Sequence, residues 1–283
     1  TLDRFAWVVG RVVGEGMYAL IDYHPMGLEP DARDPARFVD GWRRVWGALT
    51  AHPAFGRSWK GRVFLDVLNE PDSMGLRWEA APGKPALGSL YLGAMDALWA
   101  LGGEPTFFVE GAGQTGGLGA NWGDGFAADP ALVRSLGLSD PAPVLAALLR
   151  RPYAGAVVLS PHAYPPTVSN AQRSWCGPEL WARLNASTGR LARPPGFCPP
   201  SGGACRVFPV VVGEFGSRWR DPRDLTFMRD LAIWLRDKAG WFYWCHNPNS
   251  GDTGGLVGDD WDAIQWPKLR FLAASMGLRP GYA

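Results

Sequence analysis

The chain has 283 residues, 47% of them hydrophobic, with 28 basic and 27 acidic side chains and a formal charge of +1. That length and apolar content support a full core, and as an α/β barrel the whole chain fits one domain. The near-even charge, with no basic block or single-sign tail, argues against nucleic acid as a partner. No apolar run approaches the ~18 residues of a membrane span.

Strands and helices alternate along the sequence. Residues 2–14 carry apolar residues at helical spacing, and "MYALIDYH" (17–24) reads as a strand. An amphipathic helix follows at 35–52, with Phe38, Trp42, Val45, Trp46 and Leu49 on one side. Next come a strand at 62–69, a helix at 87–102, a strand at 105–110 and the Gly-rich loop "GAGQTGGLGANWGDGF". The remainder reads as helix 141–150, strand 154–164, helix 178–187, strand 206–214, helix 225–239, strand 240–247 and a closing helix 261–277 interrupted at Pro267. Short, almost continuous apolar strands between amphipathic helices mean a parallel sheet covered on both faces. Polar and aromatic residues gather at the C-terminal ends of those strands, where a barrel assembles its reaction site. The expected fold is therefore an α/β TIM barrel. This reading finds six strands and opens on a helix, so the initial strand–helix–strand portion of the barrel is expected to be missing from the sequence.

Three composition features bear on function. The sequence has 15 Trp and only four His: His24, His52, His162 and His246. Excess Trp is partly core material, but it is also what stacks on the apolar faces of sugar rings. Of four cysteines, Cys198 and Cys205 flank the turn "CPPSGGAC" and suit a local disulfide, with Cys176 as an alternative partner, whereas Cys245 reads as a small core residue. No His, Cys or Asp group has metal-ligand spacing, no phosphate loop or nucleophile elbow is present, and neither a metal nor a cofactor is called for.

Two apolar runs break at a carboxylate in the same manner. "VFLDVLNEPDS" (63–73) ends on Glu70 and "VFPVVVGEFGS" (207–217) ends on Glu214. A lone acid after a strand is an ordinary capped residue. A pair at one barrel mouth can flank a glycosidic bond, one acid protonating the leaving oxygen and the other attacking the sugar or activating water. The two must then sit in different environments, one protonated and one ionised. Asn69 is a neutral hydrogen-bonder suited to a sugar hydroxyl. Trp122 in the Gly-rich loop reads as a substrate platform. Asp72, Arg77 and Trp78 are candidates for the cleft wall, Glu110 for a structural hydrogen bond, and Asp252 and Thr253 for fixing a tight loop.

"LNEP", "GEFGS" and "WCHNPNSGDTGG" resemble glycoside hydrolase family 5, the cellulase family of (β/α)8 barrels, in family order over essentially the whole chain. The resemblance implies one catalytic domain over 1–283, N-terminally incomplete, with Glu70 as acid/base and Glu214 as nucleophile of a retaining double displacement. It also implies that Asn69, His24, His162, Tyr164 and Trp244 bind substrate around them. The family expects an Arg near the nucleophile from its second strand, which this sequence lacks, and His246 stands where a second aromatic is common. A cation within ~4–6 Å is what lowers a carboxylate pKa, so Glu214 is expected to be less firmly held as an anion. The chain as it stands is expected to fold poorly and show little activity, its complete parent to be a working hydrolase.

The implied activity is an endo-β-1,4-glucanase, acting as a secreted monomer on β-glucan polysaccharide or oligosaccharide with neither nucleic acid nor membrane as partner. Two alternatives stay open: a non-catalytic, degenerate carbohydrate-binding barrel, and a hydrolase of mannan or β-1,3-glucan.

Overall fold

The computed structural model describes residues 1–169, 175–236 and 238–279. The first half runs α1 (Leu2–Gly14), β1 (Ala19–Asp22), α2 (Glu29–Ala32), α3 (Pro35–Thr50), β2 (Val63–Asp66), α4 (Leu87–Ala100), β3 (Phe107–Val109) and α5 (Thr115–Leu118). The second runs α6 (Pro130–Leu136), α7 (Ala142–Leu148), β4 (Val157–Leu159), α8 (Pro166–Ser169), α9 (Gly177–Leu184), β5 (Val211–Val212), α10 (Pro222–Leu235), β6 (Gly240–Trp241) and α11 (Trp266–Met276).

Strands β1 to β4 form one parallel sheet in sequence order, with Ala19 opposite Val63, Leu65 opposite Phe107 and Phe107 opposite Val157. Strands β5 and β6 form a parallel pair. Parallel bridges from Leu159 to Val210 and from His162 to Glu214 tie that pair to β4. Six strands therefore follow one another in one direction. Among the described residues no ladder joins β6 back to β1, so the expected barrel is present as a run of parallel strands and not as a closed cylinder.

The helices form where their caps and apolar faces direct. At α3, Asp34 accepts N–H bonds from Ala36 and Arg37, Pro35 stands at the first position, and Phe38, Trp42, Trp46 and Leu49 are buried. The indole N–H of Trp42 donates to the Val67 carbonyl at 2.9 Å, fixing this helix against the end of β2. At α10, Asp221 caps the helix and Phe227, Met228, Leu231, Trp234 and Leu235 face inward. The apolar interior divides into a larger cluster around β1–β4 and a smaller one around β5, α9, α10 and α11.

Two expectations change. The strands at 154–164 and 206–214 shrink to β4 and β5, because residues 154–156 turn as a 3-10 helix, Arg206 and Phe208 bond to Phe197 and Leu191 instead, and Pro161 and Pro209 have no N–H to give a ladder. Beyond β6 only single backbone bonds continue, Phe242 N–H to Val212 O and Trp244 N–H to Phe215 O. Pro267 does not interrupt the last helix but lies in its first turn, where no N–H is required, so α11 begins at Trp266.

Candidate active site

Glu70 stands beyond the C-terminal end of β2 and Glu214 beyond that of β5, on the same side of the sheet as the end of β4. The backbone at Glu70 turns into the left-handed region, with φ of 41°. Its N–H donates to Glu110 Oε2 at 2.9 Å, and its carbonyl accepts the Ser73 hydroxyl at 2.7 Å. This turn aims the side chain away from the strand line and towards β4, where His162 Nδ1 lies 3.0 Å from Glu70 Oε1.

Glu214 is held by different means. The Tyr164 hydroxyl donates to Glu214 Oε2 at 2.5 Å, and His162 Nδ1 lies 3.5 Å from the same oxygen. Burial pushes the Glu214 carboxyl above its ordinary value, while His162 and the Tyr164 hydroxyl oppose that shift and Glu70 adds to it. Among the described residues no Arg or Lys makes an ion pair with Glu214. Burial also raises Tyr164, which stays a donor.

A carboxylate oxygen of Glu70, one of Glu214 and a ring nitrogen of His162 all lie within 4.8 Å of one another. Three such atoms could hold a cation. Nothing in the linear spacing signals this grouping, because the three side chains come from three separate strand ends.

These groups border a cleft of about 770 Å³ lined by His24, Glu70, Trp122, Tyr164, Glu214 and Trp244, together with Asn247, Asn249, Ser250 and Asp252. The rings of His24 and Trp244 lie near parallel, at 11° with centroids 6.4 Å apart. Asp22 Oδ2 stands 2.9 Å from His24 Nδ1, and that hydrogen bond raises the imidazole pKa against its partial burial. Trp244 donates its indole N–H to the Ser250 hydroxyl at 3.2 Å; that hydroxyl donates in turn to Asp252 at 2.8 Å and lies 2.7 Å from the Thr253 hydroxyl. Asp252 and Thr253 thus fix the loop that carries Trp244, and Asp252 reaches the cleft as well. Trp122 stands edge-on to Tyr164, with centroids 6.3 Å apart. Asp72 holds Trp122 in place by accepting the N–H groups of Trp122 at 2.7 Å and Gly123 at 2.9 Å. Burial raises the Asp72 carboxyl to about 6.

Not every residue read from the sequence reaches the cleft. Asn69 and His162 are buried, at 4% and 3% exposure, and neither lines the cleft, although His162 contacts both Glu70 and Glu214. Trp78 is core: its indole N–H donates to Gly125 O at 2.7 Å and its backbone N–H to Ser139 Oγ at 2.8 Å. Arg77 turns to Glu79 at 2.6 Å. Asn247 and Asn249, which line the cleft, were legible as the polar run "NPNSGD" but had no strand end to mark them. Asp66 is buried in the sheet interior, near Ser160 Oγ at 3.3 Å, and burial raises it to about 8. Cys198 and Cys205 form a disulfide, while Cys176 and Cys245 are free.

The chain matches the model of the cellulase family, glycosyl hydrolase family 5, over residues 1–250. It is 42% identical over 72 residues to the major extracellular endoglucanase of Xanthomonas campestris pv. campestris, covering 24% of this chain and 15% of that protein. It is 33% identical over 131 residues to an endoglucanase of Paenibacillus polymyxa, covering 42% and 29%. These alignments span less than a third of either relative. The fold is similar to the catalytic domain of the Xanthomonas campestris enzyme, with TM-score 0.67 and 23% identity over 97% of this chain and 74% of that one. It is also similar to the endocellulase of Pyrococcus horikoshii, with TM-score 0.63 and 24% identity over 93% and 70%. With the family model matched over most of its length, the chain belongs to the cellulase family, glycosyl hydrolase family 5.

Proposed function

We propose that this chain carries the catalytic centre of a retaining endo-β-1,4-glucanase. The observation that carries the reading is the approach of Glu70 and Glu214 across one cleft, their oxygens within 4.8 Å. Retaining glycosidases keep the pair at ~5–5.5 Å, whereas inverting enzymes leave ~6.5–9.5 Å for a water molecule. In this reading Glu70 protonates the glycosidic oxygen as Glu214 attacks the anomeric carbon. The glycosyl ester so formed is then hydrolysed by water that Glu70 deprotonates.

Glu214 must be ionised to attack. Burial works against that, and the Tyr164 hydroxyl and His162 work for it. Trp244, Trp122 and His24 supply ring faces for the sugars. The β-1,4-glucan assignment draws on the endoglucanase names of the relatives, and secretion on the extracellular one. We take the chain to act as a monomer on an oligosaccharide or polysaccharide. We also read the six strands as consecutive staves of an eight-stave barrel, supported by their order and by the likeness to the solved endoglucanases.

The test is Glu214→Gln in the full-length gene product, assayed on a soluble β-1,4-glucan with mannan and β-1,3-glucan alongside. Loss of hydrolysis with retained oligosaccharide binding is expected. Unchanged hydrolysis removes the proposed nucleophile, and faster turnover of mannan or β-1,3-glucan moves the substrate assignment.

A further inference from the structure

Glu110 ends β3 with no exposed surface, and the proposed chemistry does not use it. A wholly buried carboxylate is costly unless it is paired, so its contacts call for an explanation. One oxygen, Oε2, accepts the N–H of Glu70 at 2.9 Å, in the turn where Glu70 adopts positive φ. The other, Oε1, lies 3.2 Å from His162 Nε2. The opposite nitrogen of that imidazole faces Glu70 Oε1 at 3.0 Å and Glu214 Oε2 at 3.5 Å.

Glu110 is itself fixed in place. The Tyr91 hydroxyl on α4 donates to the Glu110 carbonyl at 2.8 Å and accepts its N–H at 3.1 Å. Gly123 lies flat on its side chain: a Cβ there would stand 2.1 Å from Glu110 Oε2, and the Gly123 carbonyl accepts the Gly111 N–H at 2.6 Å. The Gly-rich loop therefore seals the carboxylate in, and the same loop presents Trp122.

We propose that Glu110 is a positioning residue for the hydrolytic pair. One oxygen holds the left-handed turn that presents Glu70, and the other stands within ion-pair distance of His162, whose opposite ring nitrogen faces Glu70 and Glu214. This rests on the reading of Glu70 and Glu214 as the hydrolytic pair. Burial works against charge on both partners: it pushes the Glu110 carboxyl well above its ordinary value with His162 opposing that shift, and it works against a charged His162, whose pKa Glu110, Glu214 and Glu70 nevertheless carry well above the usual imidazole range. The titratable groups that face Glu110 are His162 from the end of β4, Asp66 and Glu70 from β2 and the turn after it, and Tyr91 from α4.

The test compares Glu110→Gln with wild type in the full-length gene product. Gln keeps the shape and an acceptor for the Glu70 N–H but replaces the carboxyl oxygen facing His162 with an amide group. The expected result is a loss of about 10–100-fold in kcat, the share assigned here to His162 support within the ~10²–10⁴-fold of general acid–base catalysis. KM should stay within about twofold, and the acid limb of the pH–rate profile should move to higher pH. A wild-type kcat and profile in Glu110→Gln, with Glu70→Gln and Glu214→Gln inactive in parallel, overturns the positioning role alone. Activity in both of those variants overturns the underlying pair instead. Should Glu110→Gln fail to fold, Glu110→Asp decides: it keeps the carboxylate but draws its oxygens back from the Glu70 N–H and His162, so a lowered kcat with KM within about twofold is expected, and a wild-type kcat overturns the proposal.

Discussion

The two proposed catalytic carboxylates end matching strands and share His162, but the rest of each clamp differs. Glu70 is placed by its backbone: a left-handed turn, an N–H given to Glu110 and a carbonyl capped by Ser73. Glu214 is placed by its side chain, through the Tyr164 hydroxyl and the His162 ring, while its backbone pairs with His162 in a parallel bridge. A backbone clamp fixes where a proton donor sits. A side-chain clamp also sets the charge of the group it holds, which is what a nucleophile requires. His162 touches both carboxylates and couples the two devices.

The largest expected effect comes from removing the acids themselves. Glu214→Gln should reduce kcat by more than about 10⁴-fold, as for other groups that act as a unit. Glu70→Gln should cost about 10²–10⁴-fold, the range for general acid–base catalysis. Steady-state kinetics on a soluble β-glucan would show the pair, and a small effect at either position would break the comparison.

Tyr164→Phe comes next, because it removes a hydrogen bond to a charged group worth about 1.5–3 kcal/mol, or roughly 10–100-fold in rate. The sign of its pH effect follows from Glu214. Burial already raises that carboxyl, and the Tyr164 hydroxyl lowers it. Without the hydroxyl the pKa rises further, so the acid limb of kcat/KM should move to higher pH. An unmoved limb with lowered kcat would make Tyr164 a packing residue.

A smaller effect is expected from Asp72→Asn, which spoils the double acceptor for Trp122 and Gly123. KM should rise several-fold with kcat little changed. The same variant has a stability signature. Burial carries the folded-state pKa of Asp72 from 3.8 to about 6, so between those values the folded chain keeps a proton that the unfolded chain has lost. Stability from this group therefore declines as pH rises through that window, and Asp72→Asn should flatten the decline in a series of thermal melts.

The smallest effect on activity belongs to Cys198→Ser with Cys205→Ser. The bridge closes a loop at a sequence separation of 7, and the loop-entropy relation gives about 2.5 kcal/mol for a closure of that length. Melting temperature should fall while kcat and KM stay unchanged, since neither cysteine lines the cleft.

Much of this arrangement was legible because it is local. Apolar runs that break at Glu70 and Glu214 name both strand ends, and "CPPSGGAC" names its own disulfide. The parallel order of the strands follows from their alternation with amphipathic helices. What stayed hidden depends on tertiary approach. Trp78 reads like a cleft residue beside the acid, yet its indole N–H finds a carbonyl in the Gly-rich loop and turns inward. Asn69 and His162 carry polar groups suited to sugar, but the fold buries both away from the cleft wall. Asp72 matters through a loop roughly 50 residues further along the chain, a separation that no local pattern encodes.

The most direct measurement is mass spectrometry of the protein treated with a 2-deoxy-2-fluoro-β-cellobioside bearing a good leaving group, followed by peptide mapping. A covalent glycosyl adduct is expected on the peptide containing Glu214, absent from Glu214→Gln. An adduct on Glu70, or inverted product stereochemistry with no adduct, would contradict it.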